Sequence, residues 1–253
     1  MSIDDKDLIE IYGTITDLEN KCISTNICWE DYEQYKLGYE QTPYLPYFGK
    51  KYIDVLFCGI NLNEGNTDTN AIFELVEEAK LYIQDHKYKI FKQEGYGGSN
   101  FYYYVPLLSY MYKSIIFDNK TFKIEDDISW ENIFEGFEFC SITNLIKCSV
   151  SSPDKRSRPS DQMYYNCIPK LKIEISKFNP KTIFFFNKFL YPNMLEHYFE
   201  GYRNIIKKDR YSISDYRDIK IIELEHPMST AITREFKFSN YNEAINDLKS
   251  IVK

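Results

Sequence analysis

Four short apolar runs are spaced along the chain, separated by longer stretches that mix apolar and polar residues. Each run is rich in β-branched or aromatic residues and ends in polar residues, which is typical of a strand buried within a sheet. The predicted strands are Tyr52–Ile60, Phe139–Leu145, Thr182–Phe186 and Ile219–Leu224.

The longer stretches carry apolar residues at the spacing of one helix face. The predicted helices are Thr69–Gln84, Tyr102–Phe117, Ser160–Phe178, Lys188–Phe199 and, after the last strand, Tyr241–Val252. Ser160 or Asp161 is the expected N-cap of the third helix. Because strands alternate with helices, we expect an α/β fold: a three-layer sandwich with a central four-stranded parallel sheet flanked by helices. A single domain is expected over residues 1–253, with residues 1–50 as an N-terminal segment.

Functional residues of such sheets lie at the carboxyl ends of the strands. This rule selects four segments of the sequence as the expected site, namely Asn61–Gly65, Asn144–Cys148, Asn187–Lys188 and Glu225–Ser229.

Composition and charge add two qualifications. Aromatic residues reach 17%, which reflects either a codon bias of the genome or surfaces on which bases stack. The net charge of −7 is unfavourable for a nucleic-acid partner, but residues 145–253 hold 19 basic and 13 acidic side chains. This half of the chain could attract phosphates, although an ordinary solvated surface explains the charges equally well.

No run of about 18 apolar residues is present, and the acidic start lacks the features of a signal peptide. We therefore expect a cytoplasmic protein with no membrane association. In that compartment the six cysteines are expected to be thiols or metal ligands rather than disulfides.

Three polar motifs stand at the predicted strand ends. The first is GINLNEG at Gly59–Gly65, the second is ITNLIKC at Ile142–Cys148, and the third is HPMS at His226–Ser229. The second motif leads into a basic loop and then into Cys167 in the following predicted helix.

A TNxxKC segment, a basic loop and a helical cysteine in this order resemble the iron–sulfur (family 4-like) members of the uracil-DNA glycosylase superfamily. The first motif is similar to the GINPG turn of the mismatch-specific branch. The resemblance extends from about Cys22 to Ser229 and is most specific over Asn144–Leu171. It implies a DNA glycosylase that flips out and excises uracil or a modified pyrimidine. Hydrolysis of the N-glycosidic bond would leave an abasic site, as in base-excision repair.

The resemblance also implies roles for individual residues. Asn61 matches the residue that orients the attacking water, and Glu64 could supply the negative charge that an amide lacks. Asn144 matches the base reader, whose amide can donate to a carbonyl and accept from an N–H, as the edge of uracil requires. His226 matches the donor to the oxygen of the leaving base. Turn-capping, strand-capping and structural roles are the respective alternatives for Asn61, Asn144 and His226.

Contacts to the nucleic acid follow from the same resemblance. Phe101 or Tyr102 would stack on the flipped base; the alternative is that both pack in the core as part of a helix. Met228 would wedge into the base stack from the loop that also holds Ser229. Phosphates would be bound by Lys155, Arg156 and Arg158, whose alternative is a solvated loop. The expected partner is single- or double-stranded DNA, bound by a monomer.

The cysteines complete the resemblance. Cys148 and Cys167 match one pair of ligands of a 4Fe–4S cluster, and Cys22 and Cys28 would be the other pair. The spacing of Cys22 and Cys28 is C-x5-C, wider than the C-x2-C usual in the family. A four-cysteine zinc site and buried free thiols are the alternatives. Cys58 and Cys140 are expected in the core.

Three departures from the family pattern bear on the substrate. Leu62 and Asn63 replace the proline and second glycine of the first motif, Met228 replaces a serine, and the segment before the aromatic run is long. A glycosylase specific for a bulky modified base in phage DNA is therefore one alternative. Another is a non-catalytic nucleic-acid-binding or sensing protein that retains the fold. An unrelated α/β hydrolase is disfavoured because no GxSxG motif is present.

Overall fold

The computed structural model describes residues 46–59, 76–77, 80–81, 99–123, 127, 129–147, 161–186, 194–227 and 234–252. Within them a single mixed sheet of seven strands runs through the molecule in the order β1-β3-β2-β4-β7-β6-β5. The strands are β1 (Tyr47–Phe48), β2 (Val55–Gly59), β3 (Ser141–Asn144), β4 (Thr182–Phe185), β5 (Arg203–Lys207), β6 (Tyr211–Tyr216) and β7 (Ile219–Leu224).

The centre of the sheet is parallel. All four predicted strands form, as β2, β3, β4 and β7, and they adjoin one another in parallel. The α/β class is confirmed, but a sheet of four strands is wrong, because antiparallel strands extend it at both edges. Strand β1 has only two residues, and the exposed β5 carries no continuous apolar run. Neither strand could be recognised as one from its apolar pattern.

The described helices are α1 (Ser99–Tyr112), α2 (Trp130–Phe139), α3 (Asp161–Phe178), α4 (Met194–Tyr198) and α5 (Arg234–Ile251). Helix α1 continues as a π-helical turn over Lys113–Phe117, so the helical segment ends at Phe117, as predicted. Helix α3 also agrees, beginning at Asp161. Helix α5 starts well before the predicted Tyr241. Of the predicted Thr69–Gln84 helix, the structure describes only Val76, Glu77, Lys80 and Leu81, all helical.

Helix α2 was not predicted, and its last residue, Phe139, was assigned to the following strand. Its start has an ordinary signal, because the Ser129 hydroxyl accepts a hydrogen bond from the Asn132 N–H at 3.2 Å. Only Cys140 separates α2 from β3, so the apolar run that begins at Phe139 covers the end of the helix and the strand.

Helices pack on both faces of the sheet. Val55 and Phe57 belong to one buried core with α1, α2 and α5, whereas Leu56 and Cys58 belong to a second core with α3 and α4. Because successive strand residues point to opposite faces, these two cores lie on opposite sides of β2. No helix in the described part of the chain is long and apolar enough to cross a membrane.

Candidate functional site

Each of the four parallel strands delivers a residue to the same edge of the sheet. Gly59 ends β2 and Asn144 ends β3, and these two residues are paired in the register of the strands. Phe186 follows β4, where its N–H donates to the Cys58 carbonyl at 3.1 Å, and His226 lies just beyond the end of β7. The carboxyl edge is where parallel sheets place their ligands, so this row of residues is the candidate site.

Asn144 has an unusual environment at this edge. Its side chain is 5% exposed, yet its amide makes no hydrogen bond to the described residues. The lack of a side chain at Gly59 creates the room for this amide, since a Cβ there would overlap the Asn144 Oδ1. An asparagine amide at this position can offer both a donor and an acceptor to a ligand.

Phe101 of α1 lies over this strand edge. Its Cζ would be 3.5 Å from a Cβ at Gly59, so the tip of the ring and the Asn144 amide both lie close to that glycine. The face of the Phe101 ring stacks on the His226 imidazole, with centroids 5.7 Å apart and planes inclined by 22°. Three residues predicted from separate parts of the sequence, Asn144, Phe101 and His226, are therefore neighbours.

Phe186 completes the aromatic side of the site. Its ring stands edge-on to Phe101 at 5.7 Å and edge-on to His226 at 6.4 Å. Because Phe186 is fully buried and also stacks on Phe57 of β2, it supports both rings from the core. Phe186 is not among the site residues predicted from the sequence. The signal was the alternation within Thr182–Phe186, which puts Phe184 and Phe186 on the α1 face.

Two neighbouring elements hold the segment that carries His226. The Arg210 guanidinium lies 3.6 Å from the buried carboxylate of Glu225, the residue before His226. From α5, the Tyr241 hydroxyl donates to the Glu225 carbonyl at 3.3 Å. The imidazole is thus presented from a segment anchored on two sides, which suits a group that must meet a ligand at a fixed point.

A buried polar network lies behind Asn144, on the opposite face of β3. The Lys147 ammonium donates to Glu174 Oε2 at 2.6 Å and to the Thr143 hydroxyl at 2.8 Å. The same Oε2 accepts from the Thr143 hydroxyl at 2.7 Å, and both charged side chains are 1% exposed. Lys147 was noted only as part of a motif. The sequence signal for Glu174 is a carboxylate among the buried residues of α3, most of which are apolar.

The described cysteines, Cys58, Cys140 and Cys167, are all buried. Cys58 and Cys140 lie in the core, as predicted, and burial raises the pKa of both thiols. Cys167 lies on the sheet-facing side of α3 and is 2% exposed. No group of three or more potential metal ligands occurs among the described residues. Cys22, Cys28 and Cys148 lie outside them, so the fit of this chain to a cluster is not tested by the described cysteines.

Other predicted site residues also lie outside the described part of the chain, and for Tyr102 only the helical backbone is described. The residues outside are Asn61, Glu64, Lys155, Arg156, Arg158, Met228 and Ser229. Their roles stay predictions.

The arrangement joins one amide, one imidazole and two phenyl rings at a strand edge. Planar walls with a few directed polar groups suit a flat ligand that carries both carbonyl and N–H groups. Comparison with family models and with curated protein sequences returned no match to this chain.

Proposed function

We propose that the protein is a DNA glycosylase related to the uracil-DNA glycosylase superfamily. It would flip uracil or a modified pyrimidine out of DNA and hydrolyse the N-glycosidic bond, leaving an abasic site. The observation that carries this proposal is the amide of Asn144 at the same strand edge as the stacked rings of Phe101 and His226.

The chemistry of this group of residues supports a base as the ligand. The Asn144 amide can donate one hydrogen bond to a base carbonyl and accept another from a ring N–H. Phe101 offers an aromatic face for stacking, which favours any flat base. If the amide is held with Oδ1 facing the ring nitrogen, it favours a pyrimidine with an imide edge, because the N3 of cytosine carries no hydrogen.

His226 has the role of stabilising the departing base. As the glycosidic bond breaks, negative charge develops on the base oxygens, and a fixed N–H donor stabilises that charge. In the proposal Asn61 orients the attacking water and Glu64 stabilises the positive sugar, roles that rest on the sequence resemblance.

A 4Fe–4S cluster held by Cys22, Cys28, Cys148 and Cys167 is part of the proposal. When bound, such a cluster would tie the N-terminal segment to α3 and the end of β3. Iron and acid-labile sulfide, measured after anaerobic purification, should be present in the wild type and lost in Cys167→Ala. They should remain in Cys140→Ala, which alters a buried core thiol outside the proposed ligand set. A wild-type protein without iron would remove the cluster from the proposal.

Base release is the direct test of the activity. Single- and double-stranded oligonucleotides containing uracil, hypoxanthine or bulkier modified pyrimidines are incubated with the protein, and abasic sites are then cleaved with alkali. We expect strand breaks with at least one pyrimidine. Asn144→Ala and His226→Ala should each lower the rate by about 100-fold or more, because each removes a directed hydrogen bond to the base.

Two matched variants control for the substitutions themselves. His197→Ala removes an exposed histidine of α4, and Asn246→Ala removes an exposed asparagine of α5. Both should leave the rate unchanged. If the wild type binds these oligonucleotides but releases no base from any of them, the enzyme proposal is wrong and a binding or sensing protein replaces it.

A further inference from the structure

We propose that Glu174 is a positioning residue for Asn144, acting through Thr143 and Lys147 from the opposite face of the sheet. The inference rests on the proposed function, because it assigns Asn144 the task of reading the base. The proposed role of Glu174 is to fix the position of the Asn144 amide next to Gly59.

The connectivity of the network is the first argument. Thr143 directly precedes Asn144, and Lys147 follows it by three residues. Both side chains bind the same oxygen of Glu174, Thr143 at 2.7 Å and Lys147 at 2.6 Å. One atom of α3 therefore holds the chain on both sides of Asn144.

The faces of the strand supply the second argument. Ile142 packs in the core on the α1 side, whereas Thr143 turns to Glu174 on the α3 side. Asn144 points back to the α1 side, where its amide and Phe101 both lie close to Gly59. The network can fix the backbone of this segment without occupying the space of a ligand.

The energetics of burial point the same way. Lys147 and Glu174 are each 1% exposed, and Glu174 Oε1 makes no hydrogen bond within the described part of the chain. A buried ion pair is rarely the most stabilising choice, since apolar residues of similar volume commonly serve as well or better. Hydrogen bonds are directional, so this network can hold a backbone segment at one position more strictly than apolar packing can.

The test separates positioning from stability by removing the whole network at once. The variant Thr143→Val, Lys147→Met, Glu174→Leu replaces three polar side chains with apolar ones of similar size. We expect its urea midpoint to equal or exceed that of the wild type, because no buried charge is left unpaired. Its kcat/KM for base release should nevertheless fall about 10- to 100-fold, as for a misplaced binding group.

A spectroscopic readout makes the test independent of catalysis. The side-chain NH2 resonances of Asn144, assigned by their loss in Asn144→Ala, should shift or broaden in the triple variant. Unchanged Asn144 resonances together with unchanged kcat/KM would overturn the positioning role. If the wild type releases no base, the proposed function fails, and the amide resonances alone decide whether Glu174 positions Asn144.

A milder pair of variants covers the case in which the triple variant does not fold. Thr143→Val removes one buried hydroxyl of the network, and Thr182→Val removes the buried hydroxyl that bonds Tyr112 at 2.9 Å. Thr182 is the first residue of β4, so it lies at the amino ends of the parallel strands, whereas Asn144 lies at their carboxyl ends. Both variants should lose stability, but only Thr143→Val should move the Asn144 resonances. Equal effects of the two on those resonances would contradict the proposal.

Discussion

Gly59 is the residue on which the geometry of the candidate site depends most directly. A methyl group at this position would overlap the Asn144 Oδ1, so Gly59→Ala should push the amide away from its present place. We expect kcat/KM for base release to fall about 10- to 100-fold, because the base would meet a displaced hydrogen-bonding group. The measurement is the rate of abasic-site formation under single-turnover conditions.

A double-mutant cycle isolates this effect from the general cost of altering a strand. Asn144→Ala removes the atom that Gly59→Ala would strike, so the two substitutions should be coupled in urea unfolding by about 0.5–3 kcal/mol. The sign is favourable: the double variant should be more stable than the sum of the single changes predicts. Additive free energies would mean that the methyl group is accommodated without moving Asn144.

At the residue scale, the sequence predicted those site residues that lie at the carboxyl ends of parallel strands. Asn144 and His226 could be placed at the site because each lies at the carboxyl end of a recognisable strand, and parallel strands share a carboxyl edge. Local patterns mark Phe186 and Glu174 as buried, but they do not give their contacts, because each contact depends on a side chain of another element. Such pairings are made by packing between elements distant in sequence, and no local pattern encodes them.

At the element scale, helices α1 and α2 approach each other closely. A Cβ at Gly136 of α2 would overlap the carbonyl group of Pro106 in α1. Gly136→Ala should therefore separate the two helices, although alanine is the better helix former by about 1 kcal/mol. We expect a net loss of about 2 kcal/mol in the free energy of urea unfolding, as for other overpacked sites.

Glu135→Ala is the matched control for this contact. It changes the neighbouring residue of α2, which is exposed, and so tests helix propensity without the overlap. It should alter stability by no more than about 0.5 kcal/mol. If Gly136→Ala were as stable as the wild type, the close approach of α1 and α2 would not be a feature of the folded protein.

The β6–β7 hairpin and strand β5 were not predicted, and each has a physical reason. The hairpin of β6 and β7 turns at Arg217, which adopts a φ of 55° in place of the glycine or asparagine usual there, so no turn signal was visible. Strand β5 lies at the sheet edge and is mostly exposed, and its basic residues protect the edge without producing an apolar pattern. The parallel strands, buried on both faces, had the continuous apolar runs that a sequence reveals.

At the scale of the whole molecule, the parallel centre carries the candidate site and the antiparallel extension supports it. Strands β5 and β6 lie beyond β7, and Arg210 between them reaches the Glu225 carboxylate beside His226. Helix α5 packs in the same core as α1 and binds this extension through Asp247, which accepts from the Tyr211 hydroxyl at 2.6 Å. The position of His226 therefore depends on contacts that run from α5 through the hairpin to the end of β7.

The contact between α5 and the hairpin predicts a dependence of stability on pH. Burial alone would raise the pKa of Asp247, but hydrogen bonds from Lys208 and Tyr211 outweigh it and lower that pKa. A carboxylate whose pKa is lowered by folding stabilises the protein at all pH values above the ordinary aspartate pKa of about 4. That stabilisation disappears as the pH falls through the lowered pKa of the folded state.

Asp247→Asn should consequently be less stable than the wild type at neutral pH, and the difference should shrink below about pH 4. Urea midpoints of both proteins, measured from about pH 7 down to about pH 3, check this expectation. Asp218→Asn, in the exposed turn between β6 and β7, makes the same chemical change away from the α5 contact and should show no such convergence. A gap between Asp247→Asn and the wild type that stays constant across this range would mean that the Asp247 charge does not link α5 to the hairpin.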